Sequence, residues 1–304
     1  MTQLGIMIEG QEGLNWDRWR RICADVERLG FASLRRSDHL ISLMGPATSE
    51  RDCIECWTSL GLAAEWTDRV EIGPMVSPMT FRLPSVLAKI AATVDSLSGG
   101  RLILGVGAGW NENEHAVYGI PFLTQKERFD LLEEALKTMP EIWDKTNPKP
   151  ARNQIPILMG GRGAKRTLPL AAKYAAEWNL SRLDVDEFRE RSEILDGCCR
   201  DIKRDPATIK RSVMTSYIIG RTRADQLERA ALVRDVIPSL SAMSPEEVLV
   251  NRKEAWFVGT PEEVAARMRE VAKLGVDLFM LQHFLLEDAE ALELLGKDVI
   301  PAVA

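Results

Sequence analysis

The sequence predicts one α/β domain over residues 1–304, a (β/α)₈ barrel. Short apolar strands alternate with amphipathic helices about eight times, with a mean repeat of roughly 38 residues. No linker or change in composition interrupts this alternation. Because parallel strands need a crossover between them, the pattern indicates a parallel sheet, and at this chain length the sheet closes as a barrel. A doubly wound open sheet is the alternative interpretation.

Apolar periodicity and helix boundary signals place the first units. Trp19, Ile22 and Val26 lie at helical spacing, for example, and Gly30 ends that helix. After the glycine-rich stretch that ends at Gly109, no helix is predicted to begin at Trp110. The predicted elements are a strand at 4–8, a helix at 16–29, a strand from 31 to about 37, a helix at about 53–66, a strand at 70–76, a helix from 84 to about 98, a strand at 102–106 and a helix through 129–143.

The remaining units follow the same pattern. Before the last strand, Ser244-Pro245-Glu246-Glu247 and Thr260-Pro261-Glu262-Glu263 each combine a capping hydroxyl, a first-turn proline and an acidic residue. Both stretches therefore predict helix starts. The other predicted elements are strands at 155–159, 178–180, 213–219 and 276–281, and helices at 165–176 and 185–202.

Composition and charge argue against several classes of function. The formal net charge is −6, so nucleic acid phosphates would be repelled. No apolar run approaches the roughly 18–20 residues of a membrane helix, and the first residues lack a basic flank and a cleavage site. We therefore expect a soluble, cytoplasmic protein. The five cysteines show no disulfide framework, and Cys53 and Cys56 are interpreted as helix-packing residues.

In a barrel the active site lies at the carboxyl ends of the strands. Between residues 99 and 111, a glycine-rich stretch lets the backbone approach a flat or anionic ligand closely. The candidate residues supply too few ligands for a metal cage, so no metal site is predicted. The residues expected at the strand ends are Glu9, Asp38, His39, Ser77, 107–110, Gly160, Gly161, 179–181, Gln282 and His283.

A second glycine turn, at Gly160, Gly161 and Arg162, lies between a predicted strand and a predicted helix. Backbone N–H groups, the helix dipole and the basic side chains of Lys165 and Arg166 would converge there. This combination predicts a phosphate site. A plain glycine turn with solvated charges is the alternative interpretation.

Asp38 and His39 are adjacent at the end of the second strand, so their side chains point to opposite faces. One can reach the pocket while the other braces its neighbours. A histidine suits proton transfer near neutral pH, and a nearby carboxylate would set its tautomer. A purely structural histidine is the alternative.

Arg35 and Arg36 occupy the body of the second strand, so one of them must point into the barrel. A buried guanidinium needs an anionic partner. Our hypothesis is that the inward arginine, with Arg36 as the candidate, pairs with Glu9 or with an anionic substrate or cofactor. The alternative is a strand that ends early and leaves both arginines in solvent.

No nucleophile elbow, P-loop or Cys–His signature is present in the sequence. A phosphate anchor, a glycine-lined slot and one or two histidines favour a bound redox cofactor. Specific motifs extend over nearly the whole chain. They are Gly30-Phe31, Ser37-Asp38-His39-Leu40, Thr80-Phe81-Arg82, 97–101 leading to Gly109-Trp110-Asn111, 118–122, 126–129, 156–161 and 258–264.

On these motifs the chain resembles the bacterial luciferase-like flavin and deazaflavin oxidoreductases, a family of (β/α)₈ barrels. The resemblance implies a flavin or deazaflavin ring across the strand ends, with Asp38 and His39 beside it as the catalytic residues. It also implies a non-prolyl cis peptide behind the ring, within one residue of Pro74-Met75. The implied cofactor-binding residues are Pro74, Met75, Val76, Gly107, Ala108, Gly109, Trp110, Gly160, Gly161 and Arg162, and the candidate substrate residues are Glu9, Arg36, Trp57 and Gln282.

The resemblance implies hydride transfer between coenzyme F-420 and a small organic substrate, with His39 as proton donor or acceptor. One alternative is an FMN-dependent two-component monooxygenase that uses O₂ and reduced flavin from a partner reductase. The other is a flavin-binding protein without catalysis. Trp110 stands where the sugar-phosphate-oxidising branch has glutamate, so that activity is not expected, and the short stretch 145–154 predicts an open pocket. The resemblance also implies a homodimer, with Cys56 and Trp57 at or near its interface.

Overall fold

The computed structural model describes residues 2–45 and 51–303, and its strands form a parallel barrel. A short additional strand, β9, pairs with β8 outside the main strand order. The strands are β1 Gln3–Ile8, β2 Ser33–Arg36, β3 Glu71–Pro74, β4 Ser77–Pro78, β5 Leu104–Gly107, β6 Ile157–Gly160, β7 Glu177–Leu180, β8 Lys210–Ile219, β9 Phe257–Gly259 and β10 Leu278–Gln282.

Helices follow most of the strands, and their starts carry the capping signals of the sequence. Ser244 and Thr260 both form capping boxes with the glutamates three residues later, as predicted. The helices are α1 Trp16–Leu29, α2 Cys56–Trp66, α3 Pro84–Leu97, α4 Glu112–Val117, α5 Gln125–Lys145, α6 Thr167–Tyr174, α7 Val185–Asp201, α8 Arg223–Val236, α9 Pro245–Arg252, α10 Pro261–Ala272, α11 Ala289–Leu294 and α12 Ile300–Val303. In the part of the chain that the structure describes, no helix has the length and apolar character needed to cross a bilayer.

The sheet closes through β3 and β4, which lie in line and are separated by a bulge at Met75 and Val76. The strand order is β3-β2-β1-β10-β8-β7-β6-β5-β4. β4 pairs with β5, and Ile72 of β3 bridges Leu102, so the two ends of this order meet. The prediction of a closed barrel is therefore confirmed over the open sheet. The Met75–Val76 peptide bond is cis, one residue beyond the Pro74-Met75 bond that the resemblance indicated.

Side chains alternate between the two faces of the barrel wall. Outward residues of β1, such as Leu4 and Ile6, pack under the helices in the main core. Inward residues form a separate apolar cluster inside the barrel that includes Met7, Met75 and Met280. A third, smaller core joins α8 and α9 to the end of β8. The polar residues at the carboxyl ends of the strands lie above the inner cluster.

The two arginines of β2 are both fully buried, and they point to opposite faces. Arg35 points into the barrel and donates two hydrogen bonds to Glu177, of 2.8 and 2.7 Å. Arg36 points outward and donates to Ser59 Oγ at 2.7 Å and to the Ile54 carbonyl at 2.9 Å. Both sequence interpretations are therefore wrong: Arg36 does not pair with Glu9, and neither arginine is solvated. Strand alternation makes Arg35 the inward residue.

Candidate active site

His39 lies immediately beyond β2, at the carboxyl ends of the strands, and is held by a buried carboxylate. Its Nδ1 is 2.8 Å from Oε2 of Glu114, and Oε1 of Glu114 accepts a hydrogen bond from the Leu40 backbone at 2.6 Å. Glu114 lies on α4 and is 1% exposed. A carboxylate accepts from N–H, so this contact places a proton on Nδ1. Nε2 makes no hydrogen bond within residues 2–45 and 51–303 and is the nitrogen available to a ligand.

The charges around His39 favour its protonated form. Burial lowers the pKa of His39, but the hydrogen bond and charge of Glu114 raise it, and the charges of Glu9 and Asp38 add to this. The net result is a pKa above the ordinary value for histidine. An imidazole held in one orientation, with Nε2 free to gain or lose a proton, is suited to act as a general acid or base.

Asp38, the other predicted catalytic residue, braces the site. Its Oδ2 accepts hydrogen bonds from Ser77 Oγ and Arg82 Nη1, both at 2.6 Å, and the residue is 1% exposed. Burial raises the pKa of Asp38 above its ordinary value, and Arg82 and Ser77 only partly oppose that effect. The bidentate contact with Arg82 fixes the position of the side chain. Asp38 thus ties the end of β2 to β4 and positions His39.

The predicted cofactor slot is a surface without side chains beside Val76. A Cβ on Gly107 would lie 2.8 Å from Val76 Cγ2, and a Cβ on Gly160 would lie 3.1 Å from Val76 Cγ1. Gly109 has a φ of +79°, and a Cβ there would meet Thr80 Oγ1 at 2.8 Å. Only glycine lets Val76 and Thr80 approach the backbone this closely. Met75 is buried and Ala108 is half-buried, so the slot is shallow and apolar, which fits a flat ring.

Trp110 and Arg128 flank this slot. Trp110 is 65% exposed, and its ring lies edge-on to that of His39, with centroids 5.8 Å apart. Arg128 of α5 donates to the Gly109 carbonyl at 3.1 Å and lies over the Phe122 ring. The sequence analysis did not assign Arg128 a role, although it is part of a motif that carried the resemblance. It fixes the backbone of the glycine stretch.

The second glycine turn lies between β6 and α6, as predicted, but its basic side chains diverge. Gly161 has a φ of +119°, and its N–H donates to the Asn179 carbonyl at 3.1 Å. Arg162 pairs with Glu187 of α7 at 3.1 Å, whereas Arg166 pairs with Asp130 of α5 at 2.8 Å. The expected convergence of these arginines is wrong because each has a carboxylate on a different helix. Within the described residues, the backbone N–H groups of Arg162 and Gly163 donate no hydrogen bond, and these are the groups that the turn can offer to an anion.

A row of polar side chains crosses the barrel mouth. Gln282 Nε2 donates to Glu9 Oε1 at 2.7 Å, and Gln11 Nε2 donates to Glu9 Oε2 at 3.1 Å. Ser216 Oγ in turn donates to Gln282 Oε1 at 2.9 Å. The structure thus brings together Glu9 and Gln282, two predicted substrate residues, although they lie far apart in the sequence. Gln11 and Ser216 were missed, and their chain positions gave no signal of this pairing.

Two other predicted substrate residues lie away from the mouth. Arg36 is engaged under α2, as described above. Trp57 is 4% exposed and donates its indole N–H to Ser77 Oγ at 3.1 Å, so it supports Asp38 from behind. Cys56 is 1% exposed, and both residues belong to the main core. Both side chains are therefore buried within this chain, and the homodimer and the position of its interface stay predictions.

The helix α4 is the part of the site that the sequence analysis did not foresee. Asn111 caps it, accepting hydrogen bonds from the backbone of Asn113 and Glu114. An asparagine followed by acidic residues in the first turn is a helix start signal, so α4 was detectable. His115 contacts the Asn111 carbonyl and Thr80 Oγ1 and is structural. Within residues 2–45 and 51–303, no cluster of three or more His, Cys, Asp or Glu side chains is arranged to hold a metal ion.

Comparison with known proteins places this site in a family. The family model of luciferase-like monooxygenases matches residues 2–278. An uncharacterised protein of Mycobacterium bovis is 32% identical over 149 residues, covering 44% of this chain and 52% of that protein, so the chain spans about half the length of this relative. The FMNH₂-dependent dimethylsulfone monooxygenase of Pseudomonas putida is 24% identical over 341 residues, covering 97% of this chain and 90% of that enzyme.

A solved structure shows the same fold. The coenzyme F-420-dependent tetrahydromethanopterin reductase of Methanopyrus kandleri superposes with a TM-score of 0.79 at 19% identity, covering 100% of this chain and 99% of that one. The shared barrel agrees with the match to the family model over most of the chain. This chain belongs to the luciferase-like monooxygenase family.

Proposed function

We propose that this protein transfers a hydride between coenzyme F-420 and a small organic carbonyl compound or alcohol. The observation that carries the proposal is the His39–Glu114 pair, whose free Nε2 lies at the strand ends near the glycine slot. The deazaflavin, when bound, would supply or accept the hydride. Reduction of a carbonyl leaves negative charge on oxygen, and a positioned acid that neutralises this charge accelerates the reaction. His39 is that acid.

The cofactor would be held by Val76 and by glycine backbone. Val76, Gly107 and Gly160 would face the ring, and the backbone N–H groups of Arg162 and Gly163, which follow Gly161 in the turn, would lie toward its anionic end. The glycines let Val76 and Thr80 pack directly against the backbone, so a flat ring would lie on Val76 with no side chain from positions 107 or 160 beside it. Arg128 keeps the Gly109 backbone in place.

Direction of the reaction follows from the proton on His39. With Nδ1–H held by Glu114, a protonated ring gives its Nε2 proton to the substrate oxygen in carbonyl reduction. A neutral ring accepts that proton in alcohol oxidation. Reduction therefore loses rate as pH rises through the raised pKa of His39, and oxidation gains rate over the same range.

A second candidate is an FMN-dependent monooxygenase that receives reduced flavin from a partner reductase. The observation that favours it is the Pseudomonas putida relative, which is described as FMNH₂-dependent and aligns with 97% of this chain. The same glycine slot would hold the flavin. Under this proposal His39 would assist the oxygen chemistry rather than carbonyl reduction.

Ligand titration distinguishes the two candidates. The purified chain is titrated with oxidised and reduced F-420 and with FMN, following tryptophan fluorescence, because Trp110 is exposed beside His39. We expect F-420 to bind at least about ten-fold more tightly than FMN, a difference of about 1.4 kcal/mol. The Trp110→Phe variant should lose much of the fluorescence change while calorimetry still detects binding. Preference for reduced FMN would support the second candidate, and binding of neither would refute both.

A further inference from the structure

Three large apolar side chains, which we call the apolar rim, are exposed on segments beside His39. They are Leu43, Trp110 and Tyr118, with exposed fractions of 37%, 65% and 54%. Trp110 lies edge-on to His39, and Tyr118 Oη donates to the Leu40 carbonyl at 3.2 Å. Leu43 belongs to the loop that continues from His39, and Glu12 holds its backbone N–H. Trp110 therefore lies against the proposed proton donor, and Tyr118 and Leu43 lie beside the chain that continues from it.

Trp110 is the most exposed indole among the described residues, at 65% against 42% for Trp16. Four other indoles of the chain are used differently. Trp19, Trp57, Trp143 and Trp178 are buried, and each donates its Nε1–H to a protein oxygen. Trp110 instead exposes its ring, and within the described residues its N–H has no hydrogen-bond acceptor. A group of neighbouring exposed apolar side chains marks a ligand-binding surface more often than a single exposed apolar residue does.

Charge around His39 indicates what kind of ligand the rim accepts. The carboxylates that act on the ring are Glu114, Glu9 and Asp38. Arg82 is already paired with Asp38 and with Glu55 at 2.6 and 2.7 Å. Even with His39 protonated, the four carboxylates of Glu114, Glu9, Asp38 and Glu55 outnumber the two cations, His39 and Arg82, so an anionic group beside His39 would meet net negative charge.

We propose that the substrate is a carbonyl compound or alcohol that carries an aromatic or bulky apolar group and no anionic group. The apolar part packs against Trp110 and Tyr118, and the oxygen points to Nε2 of His39. This inference rests on the proposed function for the role of the oxygen. The rim and the negative field alone determine the preference for an apolar, non-anionic ligand.

The test compares two ketones that differ in one charge. Acetophenone and 4-acetylbenzoate are titrated into the full-length protein, and saturation-transfer difference NMR gives a Kd for each without any turnover. We expect acetophenone to bind at least about ten-fold more tightly. Trp110→Ala should weaken acetophenone binding by about three- to ten-fold, and Trp110→Phe should restore most of it. Ile202→Ala is the matched control, since Ile202 is 50% exposed at the end of α7.

Equal or tighter binding of 4-acetylbenzoate would overturn the proposal, as would unchanged acetophenone binding in Trp110→Ala. Thermal unfolding of each variant verifies that the barrel is intact, and the exposure of Trp110 makes folding defects in these variants unexpected. Failure of the proposed function gives a different result: neither F-420 nor FMN binds, whatever the ketones do.

Discussion

At His39, two opposing effects act on one ring. Burial removes water from the imidazole and disfavours its charge, whereas Glu114, 2.8 Å from Nδ1, stabilises that charge. The carboxylates of Glu9 and Asp38 act in the same direction as Glu114, and together they outweigh burial. Glu114 also determines which nitrogen faces the mouth. One buried carboxylate thus sets both the tautomer and the protonation range of the proposed proton donor.

The Glu114→Gln substitution tests this role. It removes the largest favourable charge and leaves burial, so we expect the pKa of His39 to fall below its ordinary value. The measurement is a proton NMR titration of the imidazole signals, which is practicable because the chain has 3 histidines. The pH profile of turnover should move in the same direction. Glu112→Gln, an exposed change on the same helix, is the control, and an unshifted His39 titration in Glu114→Gln would refute the assignment.

Sequence reasoning at this scale identified His39 but not its partner. Glu114 lies 75 residues further along the chain, and the pairing depends on where α4 docks. Arg35 and Arg36 show the same limit. The need for a buried anionic partner was predictable from their place in β2, but Glu177, which is 142 residues away, became identifiable only from the barrel register.

At the scale of the strands, two glycines of the barrel wall have different roles, one in folding and one in the proposed cofactor binding. A Cβ on Gly73 would lie 2.0 Å from the Ile103 carbonyl, which is backbone and cannot move away. A Cβ on Gly107 would meet a methyl group of Val76 at 2.8 Å, and Val76 is half-buried at the slot. The first contact holds β3 against the chain before β5. The second shapes the cofactor surface.

We therefore expect different losses from two identical substitutions. Gly73→Ala should lower the free energy of unfolding by about 1–3 kcal/mol, as overpacking of a tight contact does. Gly107→Ala should push Val76 into the slot and weaken cofactor binding about ten-fold, with a smaller effect on stability. Urea unfolding and ligand titration of both variants provide the measurements. A Gly107→Ala protein that binds cofactor normally would contradict the placement of the slot.

Element prediction worked where periodicity was strong. The bounds predicted for α1, 16–29, match the structure, as does the start of α3 at Pro84. The prediction was weaker at helix starts that carry no periodic signal. The helix α2 begins at Cys56 because the Glu55 side chain caps it, and α6 begins at Thr167, after the glycine turn. The interruption between β3 and β4 has no periodic signal and came only from the family resemblance.

Across the whole molecule, the regular repeat made barrel closure predictable, whereas the contents of the barrel were not. Arg35 and Glu177 form a buried ion pair within a mostly apolar lumen. Burial opposes ionisation of Glu177, but Arg35 and Ser212 lower its pKa below the ordinary value. This pair therefore adds to the free energy of unfolding, and that contribution is lost only as pH falls through the lowered pKa of Glu177. A buried histidine affects the free energy of unfolding at higher pH.

That histidine, His283, makes the protein sensitive to mild acid. Burial lowers its pKa to about 4 from an ordinary value of 6.5, and its Nε2 has no partner among the described residues. Between these values the unfolded chain binds a proton that the folded chain does not, so stability is retained above pH 6.5 and lost as pH falls toward 4. The predicted loss is roughly 1–2 kcal/mol between about pH 6.5 and 5.

Urea unfolding of the parent chain and of His283→Gln at these two pH values measures this contribution. We expect the variant to be less stable at both, because the contact between His283 Nδ1 and Tyr217 Oη is altered, but to lose less stability on acidification. His39→Gln is the control whose effect lies in a different pH range. The raised pKa of His39 adds stability that is fully present below the unfolded value and is lost as pH rises through the folded one, so its removal should leave the loss between pH 6.5 and 5 nearly unchanged. An unchanged pH dependence in His283→Gln would show that other groups carry the acid sensitivity.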